Sequence, residues 1–161
     1  MDTTARRKVA LLLAASAFAA GCSTLPAQAE RDESFGPEWG TAQRHGSGAA
    51  DDTPADLTAS TVEEHETYDR LVLSFRGARP GYTVRYSDAT TLLVTLRDVR
   101  DGRGGTETPR LRAVDEVRRA PSAAGMSRTS MILSEADLPF RVGLDVGVFY
   151  VDVAHPGAAP S

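Results

Sequence analysis

Apolar and polar residues alternate along the second half of the chain, from residue 68 onward. In the segment 68–76, Leu71, Leu73 and Phe75 share one side, and most residues between them are polar or charged. Successive side chains of a strand point to opposite faces, so a period of two predicts strands with one buried face. A weaker element covers 111–119. The same alternation recurs in 82–86, 91–97, 128–134, 140–144 and 149–153.

Turn residues separate these segments. Arg79-Pro80-Gly81 favours a turn because proline presets φ and glycine tolerates positive φ, and Asp101 to Gly105 has the composition of a loop. Pro156 ends the last strand, since proline cannot donate to a ladder. Six or seven short strands with frequent turns predict an all-β fold, a small antiparallel sandwich or barrel. The roughly 95 residues of 67–161 can bury a core without disulfides.

The N-terminus has the pattern of a secretory signal. Arg6, Arg7 and Lys8 precede an uncharged apolar run, Val9 to Ala20, which ends at Gly21-Cys22. A positive flank, a short apolar region and small residues before a cleavage point are typical of a signal peptide. The run is too short to cross about 30 Å of hydrocarbon as a helix. We therefore expect residues 1–21 to be a signal peptide rather than a permanent membrane span.

Cys22 indicates which kind of signal this is. Ala19-Ala20-Gly21-Cys22 resembles the bacterial lipobox, although Leu is commoner where Ala19 stands. The resemblance implies a diacylglyceryl group on the thiol of Cys22, cleavage before it, and anchoring to the outer face of a membrane. Cys22 is the only cysteine, so an internal disulfide is excluded. The alternative is an ordinary signal peptide cut elsewhere, for example after Ala29.

Residues 23–66 differ in composition from the rest. They carry ten acidic residues and two arginines, a net charge of −8, whereas 67–161 carry +2. Large apolar residues are few and follow no period, which favours disorder. We therefore expect a disordered acidic linker over 22–66, with one short helical turn possible near 58–64. As a flexible coil it would reach roughly 35–40 Å. Trp39 is either a stray linker aromatic or, with Phe35, part of a docking motif.

The strand segments resemble a known family. Tyr68–Phe75 and Pro80–Tyr86 are similar to the opening of the AMIN-like domain of bacterial lipoproteins, and Pro139–Val142 and Tyr150–Pro156 to its final hairpin. The resemblance implies a β-domain over 67–156, followed by a disordered tail, 157–161. It departs from the family pattern at 145–149. It also implies a role in envelope targeting, and it brings no catalytic residue.

Candidate chemistry is sparse. His45, His65 and His155 lack metal-ligand spacing, and the chain beyond the predicted cleavage site contains no lysine for a Ser-Lys pair or a Schiff base. We expect no catalytic residue, no metal and no cofactor, and each histidine is expected at the surface or in the linker. A spatial triad of Ser, His and Asp is left open by the sequence. The charge balance does not point to nucleic acid.

Arginine is the conspicuous surface residue. Outward positions of the first three predicted strands carry Arg70, Arg76, Arg85 and Arg97, so neighbouring strands would form one basic face, flanked by Tyr82 and Tyr86. Planar guanidinium groups suit carboxylates and phosphates. The alternative is a solvated face on which Asp69, Asp88 and Asp98 pair with the arginines.

The sequence thus predicts a lipid-anchored, non-enzymatic module of the cell envelope. Its expected partners are the membrane, through lipid on Cys22, and peptidoglycan or another anionic wall component. One alternative is a protein–protein interaction module that pairs through a sheet edge. A second is a hydrolase with a cryptic site.

Overall fold

The computed structural model describes residues 36–50, 53–100 and 103–158, which form two sheets of six strands each. The predicted all-β sandwich is confirmed, with twelve strands rather than six or seven, and with no helix among the described residues. The signal peptide and Cys22 lie outside them. The strands are β1 Gly36–Gly40, β2 Arg44–Gly46, β3 Ala55–Glu64, β4 Tyr68–Arg76, β5 Gly81–Asp88, β6 Thr91–Arg97, β7 Val99–Arg100, β8 Gly105–Glu107, β9 Val114–Ala123, β10 Met126–Leu133, β11 Phe140–Asp145 and β12 Val148–Ala154.

The strand order explains how the sequence pattern becomes two layers. The first sheet has the order β1-β11-β12-β4-β3-β7, and the second has β2-β5-β6-β10-β9-β8. All neighbours are antiparallel except β3 and β7. The alternating segments of the sequence become β4, β5, β6, β10, β11 and β12, and the weaker element becomes β9. The chain changes sheet between β4 and β5, which separates strands that are adjacent in sequence.

The core lies between the two inner faces. Leu71 and Leu73 of β4 face it from the first sheet, and Val84 and Val94 from the second, and all four are buried. Aromatic rings also meet in this layer: the centroids of Tyr82 and Phe149 are 5.1 Å apart and tilted by 49°. Burial of these side chains stabilises the sandwich by roughly 1.5–3 kcal/mol each.

The predicted disordered linker is wrong from Gly36 onward. Three strands, β1, β2 and β3, lie in 36–64, and the short helical turn predicted near 58–64 is part of β3. In the predicted tail, the N–H of Ala158 donates to the carbonyl of His155 at 3.0 Å, so the chain turns after β12. Residues 159–161 lie outside the described part.

A bulge explains why β3 escapes detection in the sequence. The β3–β4 register shifts between Leu57 and Ala59, and both Leu57 and Val62 pack against the core cluster. These two residues are five positions apart, an odd spacing that no period-two pattern allows on one face. The extra residue of a bulge restores the common face and hides the alternation.

A buried carboxylate links the two sheets. Asp69 of β4 is fully buried, and its Oδ2 accepts the N–H groups of Ala113 at 2.7 Å and Val114 at 3.0 Å. Those two residues lie at the start of β9, in the second sheet. The other carboxylate oxygen, Oδ1, lies 2.9 Å from Nε2 of His155, just after β12. Asp69 therefore joins β4, the start of β9 and the C-terminal segment.

Replacing Asp69 is expected to destabilise the fold strongly. Asp69→Ala leaves two buried N–H groups and the His155 ring without their acceptor, and should lower the free energy of unfolding by about 3–5 kcal/mol. Asp69→Asn keeps one acceptor oxygen and should cost less. Urea unfolding measures both, with the exposed Asp115→Ala as control. A cost for Asp69→Ala no larger than the control's would contradict this role.

Candidate functional site

The outer side of the second sheet carries one arginine on each of four neighbouring strands. Arg85 is paired in register with Leu93, Leu93 with Ser130, and Ser130 with Arg118. Directly paired residues point to the same side of a sheet, so these positions share one face. We name the following set the arginine face: Arg85 of β5, Arg97 of β6, Arg128 of β10 and Arg118 of β9.

Three members of the arginine face follow a diagonal. Arg128 is two residues from Ser130, the partner of Arg118, and two residues from Met126, the partner of Arg97. Diagonal neighbours in a sheet are about 7–8 Å apart between Cα atoms. Arg118, Arg128 and Arg97 therefore form a stripe across three strands, within reach of a single extended ligand.

The charges of this face are only partly compensated. Arg118 donates two hydrogen bonds to Glu116, which raise the pKa of the guanidinium and lower that of the carboxyl. For Arg85, Arg97 and Arg128, no carboxylate of the described residues lies within ion-pairing distance. Arg85 donates to the carbonyl of Tyr86 at 3.3 Å and Arg97 to that of Gly46 at 3.4 Å. The face thus keeps a net positive charge.

A shallow groove of about 610 Å³ runs along this face. Arg118 and Arg128 line it together with the side chains of Ser130, Thr106 and Leu93. Guanidinium and hydroxyl groups both donate hydrogen bonds to anionic oxygens. The groove can therefore bind carboxylate or phosphate groups, and its open shape admits an extended chain.

The predicted arginines divide between two opposite faces. Arg85 and Arg97 lie on the arginine face, but Arg70 and Arg76 belong to β4 in the first sheet. The prediction of one basic face is wrong because the chain crosses to the other sheet between β4 and β5. Tyr82 is fully buried in the core, so it flanks no surface.

Tyr86 also faces inward. It is half-buried, its hydroxyl donates to the carbonyl of Leu138 at 2.5 Å, and its ring meets Phe140 edge-on at 5.9 Å. Burial, with a contribution from the Asp137 carboxylate, raises the pKa of the phenol from 10.0 to about 12. Tyr86 therefore packs beneath the second sheet rather than beside the arginines.

The aspartates predicted to neutralise the arginines have other roles. Asp69 is inside the sandwich. Asp88 accepts the N–H of Thr90 at 3.0 Å, a bond that lowers the pKa of the carboxyl and fixes the turn after β5. Asp98 has a φ of 58°, and its carbonyl accepts the N–H of Ala55 at 2.7 Å. None of the three forms an ion pair with an arginine of the described chain.

The outer side of the first sheet also carries arginines, but two of them share one buried carboxylate. Arg70 binds the fully buried Asp152 through Nε at 2.6 Å and a second nitrogen at 2.9 Å. Arg141 binds the same carboxylate at 2.8 Å. The hydrogen bonds to Asp152 raise the pKa of Arg70. One carboxylate thus holds two guanidinium groups in fixed positions.

Aromatic rings cover this pair of arginines. Arg70 lies 4.2 Å from the ring centroid of Tyr150, and Arg141 lies 4.5 Å from that of Trp39. Both guanidinium groups also lie near the ring of Tyr68, at 5.3 and 5.1 Å. Cation–π contacts of this kind stabilise the arginines in place. Trp39, assigned from sequence to the linker, is therefore part of the folded domain.

His155 differs from its prediction as a surface residue. It is 5% exposed, and its Nε2 lies against Asp69. The other ring nitrogen, Nδ1, is enclosed and has no hydrogen-bond partner among the described residues, so no serine hydroxyl of that part bonds to it. His65 stacks on Tyr68 at 4.4 Å, and His45 pairs in register with Thr83.

Sequence reasoning missed Arg118 and Arg128. The signal for Arg128 was present, because alternation around Met131 and Leu133 places residue 128 outward. Nothing in the sequence, however, indicates that β10 lies between β6 and β9. That order is what brings Arg128 beside Arg97.

Comparisons of the chain with protein-family models, curated proteins and solved structures found no match. In the described residues, no three or more His, Cys, Asp and Glu side chains are grouped so that they could hold a metal ion. No helix in that part is long and apolar enough to cross a membrane.

Because of the Tyr86 phenol, the free energy of unfolding is expected to vary with pH in the alkaline range. Its folded pKa lies above 10.0, so its contribution is complete below that pH and is lost as pH rises through about 12. The free energy of unfolding of Tyr86→Phe should therefore fall less than that of the wild type as the pH rises from 10 to about 12. At neutral pH the free energy of unfolding of this variant should be about 1 kcal/mol below that of the wild type, because the hydrogen bond to Leu138 is absent. Urea unfolding at several pH values tests this, and parallel pH profiles would contradict it.

Proposed function

We propose that the chain is a lipid-anchored, non-enzymatic module of the cell envelope that binds an anionic wall component through the arginine face. The observation that carries the proposal is the set of three arginines, Arg85, Arg97 and Arg128, that share one face and lack acidic partners among the described residues. Uncompensated guanidinium groups beside hydroxyl donors favour ligands with carboxylate or phosphate groups. Peptidoglycan stems and phosphate-containing wall polymers offer these groups.

Three further features support the proposal. The β-sandwich agrees with the fold expected from the AMIN-like resemblance of 68–156, and that resemblance in turn implies an envelope-targeting role. The enclosed His155 ring supports the non-enzymatic part, because a general base must reach the proton that it abstracts. The lipobox-like segment ending at Cys22 would place the domain on the outer face of the membrane.

Wall binding can be tested by retention of the full-length protein on isolated cell walls at low salt. Arg85→Gln combined with Arg128→Gln removes two uncompensated charges and should weaken retention about tenfold. Added salt should weaken the wild type in the same direction, because exposed charges are screened.

A matched control distinguishes the effect of losing arginines on this face from the effect of removing positive charge from the protein as a whole. Arg76→Gln combined with Arg100→Gln also removes two exposed arginines, but from the first sheet. Retention of this control should stay within about twofold of wild type. Equal loss in both double variants, or no wild-type retention at low salt, would refute binding through the arginine face.

Anchoring has an independent test. Cys22→Ser removes the thiol that would carry the lipid, so the protein should leave the membrane fraction and lose acyl labelling. Cell fractionation and metabolic labelling with a fatty acid measure these outcomes, with the unaltered chain as reference. Membrane retention of the variant would contradict the lipid anchor.

A further inference from the structure

The first sheet has a long open edge. β3 pairs with β4 from Asp56 to Glu64, but on its other side it meets β7 only at Ala55 and Asp56. Residues 57–64 therefore have no neighbouring strand on that side among the described residues. The outermost strands β2, β7 and β8 are three residues long or shorter. An unpaired strand edge of this length is a template for another chain.

The hairpin fixes which backbone groups of β3 face outward. The N–H of His65 donates to the carbonyl of Tyr68, and the register pairs Glu63 with Arg70 and Val62 with Leu71. In antiparallel strands, hydrogen-bonded and non-bonded pairs alternate. Residues 59, 61 and 63 thus bond to β4. The N–H and C=O groups of Ser60, Val62 and Glu64 point to the open edge.

The side chains beside this edge alternate in character. Leu57 and Val62 pack against the core cluster yet remain partly exposed at its rim. Ala59, Thr61 and Glu63 are exposed on the outer side. If another strand were added at this edge, its inward side chains would cover Leu57 and Val62. Its outward side chains would lie beside Glu63. The inward positions of that strand should therefore be apolar.

The charge of β3 indicates which charge the outward side chains of a partner strand should carry. β3 carries Asp56, Glu63 and Glu64 and no basic residue. Glu64 already pairs with Arg112, whose Nε lies 3.1 Å from Oε1 of Glu64. Two copies of β3 paired edge to edge would still bring the other four acids together, Asp56 and Glu63 of each copy, and like charges across strands are destabilising. A partner strand with arginine or lysine would instead form ion pairs there. A second copy of this chain is thus disfavoured.

We propose that the open edge of β3 binds an extended segment of another protein in which basic residues alternate with apolar ones. The segment adds a strand to the first sheet, with its backbone bonded to Ser60, Val62 and Glu64. This binding is independent of the arginine face, which lies on the opposite sheet. The bulge near Leu57 disrupts pairing at one end, so recognition centres on residues 59–64.

The probe is a fluorescent eight-residue peptide of alternating arginine and valine, with blocked ends, titrated against the full-length protein by anisotropy. Ser60→Pro removes an edge N–H while leaving the β4 pairing intact, and should weaken binding about tenfold. Ser60→Ala keeps the N–H and is the matched control. It should stay within about twofold of wild type. A peptide of alternating glutamate and valine should not respond to Ser60→Pro.

Amide hydrogen exchange of the wild type gives a second readout that needs no variant. Protection should rise at Ser60, Val62 and Glu64 when the arginine–valine peptide binds, and should change little at Thr61 and Glu63, which already bond to β4. Equal affinity of Ser60→Pro and Ser60→Ala, no binding of the peptide, or concentration-dependent dimers of the protein alone would overturn the proposal. Wall retention should be unaffected by Ser60→Pro, so failure here leaves the proposed function separately testable.

Discussion

The buried carboxylate of Asp69 is the constraint on which the arrangement of the two sheets depends. It reaches from β4 to the N–H groups of Ala113 and Val114, where β9 begins, and also to the ring of His155 beyond β12. Most of the other side chains between the sheets are apolar, and apolar packing has little direction. A buried anion must instead satisfy its hydrogen bonds in one geometry. Asp69 therefore selects how one layer lies on the other.

The same need to satisfy buried charge separates the two outer faces. On the first sheet, the fully buried Asp152 binds Arg70 and Arg141, and aromatic rings cover them. On the second sheet, Glu116 pairs with Arg118, whereas Arg85, Arg97 and Arg128 have no carboxylate of the described residues within ion-pairing distance. Arginines thus serve stability on the first sheet, whereas on the second sheet three of them are the residues of the proposed binding face.

The sequence predicts the strands with a regular period but not their neighbours. Segments 68–76 and 91–97 are recognisable because each strand has one apolar face. β3 is not, because a bulge breaks its phase, and β1 and β2 lack enough apolar residues to show a period. Sheet order depends on long-range pairing, which local alternation does not encode. For that reason the alternation correctly predicts that Arg85 and Arg97 share an outer face, but it does not show that Arg70 lies on the other sheet.

The position of β1 in the chain would limit the range of the domain under the proposed lipid anchor. Gly36 begins β1, and only thirteen residues separate it from Cys22. A segment of that length spans at most about 45 Å when fully extended. With lipid on Cys22, the domain would stay close to the membrane and reach only a thin layer above the bilayer. Its ligands would then be the inner layers of the wall, or proteins that lie in the same layer next to the membrane.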